Sequence, residues 1–217
     1  MFHLRLDTRS SSSCKVLCLG AHADDIEIGC GGTILRLLRA YPKAEVYWVV
    51  FSAPGTRRLE ARNSAASFLA SCGNKTVVVK NFRESFFPYR GEAIKECFEE
   101  IKRRFSPELV LTHYRHDLHQ DHRIISDFTW NTFRKHLILE YEIPKYDGDL
   151  GAPNTFVSLD AETCRVKVDN LCRNFLSQKN KQWFTEDLFL SMLRLRGVEA
   201  NSATKYAEAF YCRKRVL

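Results

Sequence analysis

Lys15 to Thr33 reads KVLCLGAHADDIEIGCGGT, and this stretch decides the fold. Val16-Leu17-Cys18-Leu19 is an unbroken apolar run, the pattern of a strand buried on both faces. The chain then turns polar at His22, Asp24, Asp25 and Glu27, passes through Gly29-Cys30-Gly31-Gly32, and resumes with Ile34, Leu35, Leu37 and Leu38 at helical spacing. Strand, acidic loop and helix in that order open an α/β domain. Ligands of open α/β sheets bind outside the carboxyl ends of the strands, so a His and two Asp at this point are placed for chemistry. Imidazole together with carboxylate suits a borderline cation such as zinc. The glycines lack GxGxxG spacing and follow acidic residues that would repel a pyrophosphate. Tight backbone packing at a helix start is expected of them instead.

Outward from this unit, strand and helix patterns alternate. Ala44 to Ser52 predicts a second strand. Arg57 to Cys72 predicts a helix with Leu59, Ala66, Phe68 and Leu69 inward, closed by Gly73. Val77 to Val79 is a short third strand. Asn81 to Gly91 is an aromatic loop whose Phe82, Phe86, Phe87 and Tyr89 either rim a substrate site or pack on the sheet edge. Glu92 to Arg104 is an amphipathic helix and Leu109 to Thr112 a fourth strand. That strand ends in a second polar cluster, HYRHDLHQDHR from His113 to Arg123, where His113, His116, His119 and His122 stand beside Asp117 and Asp121. A helix is expected from Arg123 to Arg134. Parallel strands bring both clusters to one edge of the sheet.

Beyond it, His136 to Ile143 and Thr155 to Leu159 predict strands around a turn at Tyr146 to Asp149. Ala161 to Ser177 predicts a helix with Val166, Val168, Leu171 and Phe175 inward. Trp183 to Leu195 predicts another, and Tyr206 to Tyr211 a last strand. The expected architecture is a single Rossmann-like α/β domain over 14–217, a mostly parallel sheet flanked by helices, with 1–13 as a flexible leader.

A chain of 217 residues suits one such domain, and 45% hydrophobic with 27% charged residues excludes disordered and collagen-like classes. No apolar run approaches the roughly 20 residues that cross a bilayer. The eight cysteines form no CxxC pair, read as reduced thiols, and with the other features suggest a cytoplasmic protein. The net charge of +7 is scattered, which favours a solvated surface over a nucleic-acid stripe and leaves a phosphate-bearing small substrate as the next reading.

The two clusters suffice for metal-assisted amide hydrolysis. Three protein ligands and one open position define a catalytic zinc site. His22, Asp25 and one histidine of the second cluster, best His122, supply that set. Asp24 is placed as general base toward a metal-activated water. His119, as an imidazolium, is placed to stabilise the oxyanion and later protonate the leaving amine, and Asp121 to orient a histidine. His113 and His116 read as hydrogen-bonded loop residues, Asp117 as a supporting acceptor or turn former, and Glu208 as a structural charge partner.

These residues also carry a resemblance. AHADDIEIGCGGT is similar to the AHPDDE signature of the LmbE/PIG-L deacetylases, with Ala23 in place of Pro and Ile26 before Glu27. His119-Gln120-Asp121-His122 resembles that family's HPDH. RRLEAR at 57–62, SQ at 177–178, RG at 196–197 and AEAF at 207–210 continue the correspondence in order. The resemblance implies an LmbE-like Rossmann fold and a hydrolase removing N-acetyl groups from amino sugars with a divalent metal, usually zinc, Fe2+ being an alternative. It implies His22, Asp25 and His122 as metal ligands, Asp24 as base, His119 as catalytic histidine with Asp121 as its partner, and Arg57 as a substrate contact. It leaves homo-oligomerisation open. The substrate expected is an N-acetylated amino sugar, free or in a nucleotide-linked or other glycoconjugate. Another amide such as a thiol-sugar conjugate, a two-metal phosphoesterase and a non-catalytic metal-binding module are the alternatives.

Overall fold

The computed structural model describes residues 14–215, so the expectation of a leader over 1–13 lies outside the described residues. The chain alternates β1 (Lys15–Gly20), α1 (Asp25–Ala40), β2 (Glu45–Val50), α2 (Arg57–Phe68), β3 (Asn74–Val79), α3 (Gly91–Arg104), β4 (Leu109–His113), α4 (Gln120–Thr132) and β5 (Leu137–Tyr141). It finishes with β6 (Thr155–Leu159), α5 (Ala161–Asn174), α6 (Glu186–Glu199) and β7 (Tyr206–Cys212). The seven strands form one sheet in the order β3-β2-β1-β4-β5-β7-β6. The first five are parallel, while β7 runs antiparallel to both β5 and β6. Strand order reverses between β1 and β4, and both polar clusters follow those two strands. That crevice is where a doubly wound sheet binds ligands.

Alternation along the strands splits the core in two. Val16, Cys18, Val46, Trp48, Leu109 and Leu111 face the layer of α1, α2 and α5. Leu17, Leu19, Val49, Phe51 and Val110 face the layer of α3 and α4. Both faces of the central strands are thus covered, as parallel sheets require.

Several elements depart from the sequence expectations. The acidic segment is only in part a loop: His22 and Asp24 stand in the turn before α1, and Asp25 and Glu27 fall in the first turn of the helix, where its dipole favours the negative charge of Asp25. The helix kinks at Cys30 (φ −147°, ψ 15°). Close packing explains the glycines, as expected: a Cβ on Gly29 would stand 2.1 Å from the Tyr141 ring, and one on Gly32 2.4 Å from Leu159. In α2, Leu59 and Ala66 are exposed while Ala61, Ser64, Ala65 and Phe68 turn inward. The helix stops at Phe68, before the expected Gly73. Helix α4 begins at Gln120, three residues early, so Asp121 and His122 belong to its first turn. His113 closes β4 as a fully buried strand residue, and the loop placement expected for it is corrected. No helix among the described residues is long and apolar enough to cross a membrane.

Candidate metal centre and active site

His22 and Asp24 occupy the turn between β1 and α1, and Asp25 is the first residue of α1. The second group comes from the N-terminus of α4, where His119 is the cap and its Nδ1 accepts the Asp121 amide proton. Tertiary folding closes a gap of about a hundred residues between them. His22 Nδ1 lies 3.2 Å from His122 Nε2 and 3.4 Å from Asp25 Oδ2, and His122 Nε2 lies 3.6 Å from Asp25 Oδ1. All three residues are buried, at 6%, 3% and 2% exposure for His22, Asp25 and His122.

These separations fit a cation. Tetrahedral zinc with bonds of about 2.0–2.1 Å holds its ligand atoms about 3.3–3.4 Å apart. The remaining ring nitrogens are held by carboxylates: His22 Nε2 is 3.1 Å from Asp121 Oδ2, and His122 Nδ1 is 2.9 Å from Asp117 Oδ2. A proton on each of those outer nitrogens turns the lone pairs of His22 Nδ1 and His122 Nε2 toward each other, an arrangement that a cation between them would stabilise. Asp25, His113 and His122 also bring ligand atoms within 4.8 Å of one another. His113 Nε2, however, already accepts the Ala21 amide proton at 2.9 Å, so His22 is the better third donor.

Asp24 is divided between two environments. Its Oδ1 accepts from Arg57 Nη2 at 2.7 Å, whereas Oδ2 is buried without a hydrogen-bond partner among the described residues. Arg57 also reaches Glu84 at 3.3 Å, while Arg58 is exposed, which separates the two adjacent arginines. Asp121 is saturated: besides His22 it accepts the Ser85 amide at 2.6 Å and the Phe87 amide at 3.1 Å. Ser85 takes φ 67° in that loop, a conformation worth about 1–3 kcal/mol of strain when a non-glycine residue is held in it. The Asp121 carboxylate therefore orients His22, and its link to His119 runs through the backbone amide.

Burial and neighbouring charge separate the protonation states. Burial alone would lower His22, but Asp25 and the hydrogen bonds of Asp121 and Asp25 outweigh it and hold the imidazole up at about 10, so the Nδ1 lone pair becomes available only where a cation would displace the proton there. Burial, with His113 beside it, takes His122 down to about 3. Burial opposes ionisation of Asp25, yet His122, His113 and His22 prevail and hold it well below the carboxylate range. Asp24 moves the other way, raised by burial that Arg57 only partly offsets. Burial also pushes Glu27 well above its usual range. His119 is lowered by burial and by His22. With Nδ1 accepting the Asp121 amide proton, a neutral His119 ring carries its proton on Nε2.

Sequence patterns left two contributors undecided or unseen. Asp117 holds His122 and is itself held by Lys145 Nζ at 3.0 Å; only its position five residues before His122 hinted at this. Lys145 came with no signal, because its segment approaches the site only in the folded chain. The outlying motifs are structural ties. Glu60 of RRLEAR accepts from the Ser177 amide and hydroxyl, Arg196 pairs with Glu142, and Glu208 accepts the Gly32 and Thr33 amides. In the aromatic loop, Phe87 is buried near His22, whereas Phe86 and Tyr89 are exposed. His116 is exposed and outside the cluster.

The fold is similar to that of N,N'-diacetylchitobiose deacetylase from Pyrococcus horikoshii, with a TM-score of 0.69 and 21% identity over 92% of this chain and 83% of that chain. The 4-carboxy-2-hydroxymuconate hydratase GalB from Pseudomonas putida gives a TM-score of 0.74 and 17% identity over 94% of this chain and 98% of that one. A teicoplanin deacetylase in a zinc-inhibited form gives 0.70 and 15% over 91% and 97%. Deacetylases and a hydratase share this architecture, so the likeness carries the fold and leaves the reaction to the site. Residues 17–133, more than half of the chain and including both polar clusters, match the family described as PIG-L, GlcNAc-PI de-N-acetylase. With its sheet order, its His/Asp cluster and this match, the chain belongs to the PIG-L family of de-N-acetylases.

Proposed function

We propose that this protein hydrolyses the acetyl amide of an N-acetylated amino sugar, free or within a nucleotide-linked or other glycoconjugate, with His22, Asp25 and His122 holding one divalent ion, zinc by preference. Such an ion supplies Lewis acidity, polarising a carbonyl and bringing the pKa of water toward about 7. The protein's residues supply the rest. Asp24 Oδ2 accepts the proton of the attacking water and returns it to the departing amine nitrogen, so no net proton is lost. Arg57 fixes the other Asp24 oxygen and so the direction of the free one. His119 donates from Nε2 to the oxyanion that forms on the acetyl carbonyl. Asp121 and Asp117 keep His22 and His122 in the tautomers that face inward.

The observation that carries this reading is the divided Asp24 carboxylate, one oxygen pinned by Arg57 and one buried and free beside the ligand set. A purely structural metal site has no need of it. A two-metal phosphoesterase is less well supported, because the two groups of close ligand atoms, His22 with His119 and His122 and Asp25 with His113 and His122, both draw on His122, whose Nδ1 is taken by Asp117.

Acetate release from a pooled panel of free, lipid-linked and nucleotide-linked N-acetyl amino sugars tests it on zinc-loaded protein. The wild type is expected to release acetate. Asp24→Asn should lower the rate by about 10²–10⁴-fold while metal content stays at one ion per chain. Folded, metal-loaded protein that releases none would overturn the acetyl-sugar reading.

A further inference from the structure

A cleft that no residue of the His/Asp cluster lines has a volume of about 550 Å³, inside the range of small-molecule sites. Lys80, Arg83 and Arg90 and the rings of Phe82, Phe86 and Tyr89 line it; the remaining lining is an amide and a thiol, and no carboxylate is among them. Burial raises the pKa of that thiol, Cys97, so it adds no negative charge at neutral pH.

The cations are not consumed by the fold. Arg83 and Arg90 have no carboxylate partner among the described residues, and Lys80 approaches Glu100 only at 3.7 Å. The Arg83 guanidinium lies 3.6 Å from the centroid of the Phe86 ring, with Tyr89 6.0 Å from Phe86. Stacking on a ring face orders the guanidinium and leaves its in-plane N–H fork for an anion. Tyr89 is 81% exposed, a large aromatic face with little to cover it. The loop carrying these groups is held by the Ser85 and Phe87 amides on Asp121 and by the Phe82 amide on Phe51. Two arginines without a carboxylate partner among the described residues, beside exposed rings on a tethered loop, match a ligand with a phosphoryl group for the fork and a ring for the aromatic face.

We propose that this cleft is a second ligand site, for a small molecule carrying a phosphoryl group on a ring, either a sugar phosphate or a nucleotide. It does not depend on the deacetylase reading, since none of its residues belongs to the metal cluster.

Calorimetric titration of zinc-loaded protein with inorganic phosphate, glucosamine 6-phosphate and uridine diphosphate tests the site. At least one ring phosphate should bind saturably and more tightly than inorganic phosphate. Arg83→Gln with Arg90→Gln should weaken it about tenfold or more, and the Lys pair should recover part of the loss. His122→Ala should leave it unchanged, which also separates this proposal from the reading of the metal cluster. A Tyr89→Ala variant that weakens uridine diphosphate alone assigns the site to nucleotides; equal weakening of both assigns it to ring phosphates generally. No saturable binding to about 10 mM, or binding lost in His122→Ala but kept without the arginines, would overturn the proposal. Both arginines are exposed, so thermal melts of the double variant should match wild type.

Discussion

Residue by residue, the cluster depends on groups that touch no substrate. Asp117 fixes His122 through Nδ1, and Lys145 in turn fixes Asp117, with Asp149 2.5 Å from the same ammonium. Carboxylates supporting metal-bound histidines typically govern affinity by 10–100-fold. Asp117→Asn is therefore expected to weaken zinc binding by about that factor, read by competition with a chromophoric chelator. His22, Asp24 and Asp25 could be found from the sequence because they fall together at one strand end. The roles of Asp117 and Asp121 could not, since which carboxylate meets which imidazole is decided by side chains on separate elements. Asp121 shows this well: it orients His22, ninety-nine positions away, and reaches its neighbour His119 only through the backbone.

At the level of the element, caps and close approaches set the boundaries. Asp160 caps α5 by accepting the Thr163 amide at 2.6 Å, and that bond, with the Thr163 hydroxyl, lowers its pKa. A folded pKa below the unfolded value adds stability above the ordinary carboxylate range and loses it as the pH falls through the lower folded value. Asp160→Ala should cost about 1 kcal/mol at neutral pH. Urea unfolding should show that difference closing below about pH 4. In α1, Gly29 is fixed by the Tyr141 ring, whose hydroxyl donates to the Leu19 carbonyl and so resists displacement. Gly29→Ala should destabilise by about 1–3 kcal/mol, as overpacking does, and lower the denaturant midpoint without changing its slope. The helix starts misplaced from sequence share one cause. Polar runs such as HADDIE and HQDH look like loops by periodicity, but their polarity reflects a helix N-terminus turned toward a site.

Across the whole molecule, buried ionic ties join the antiparallel edge to the parallel core. Lys167 of α5 lies 2.6 Å from Glu208 of β7 and donates to the Ile28 carbonyl of α1, with both charged side chains almost wholly buried. Removing one partner leaves an uncompensated buried charge, so Lys167→Met should cost about 3–5 kcal/mol in urea unfolding. Lys167→Met combined with Glu208→Gln should recover much of that loss.

The sequence by itself determined the alternation of strands and helices, the parallel core, and the two polar clusters at strand ends. Those features are local, set by hydrophobic period and by the residues that interrupt it. It did not place Lys167 against Glu208, nor the insertion of β7 between β5 and β6, nor the contact of Lys145 with Asp117. Tertiary structure decided these, because each pairs groups far apart in the chain whose burial is favourable only once both are present.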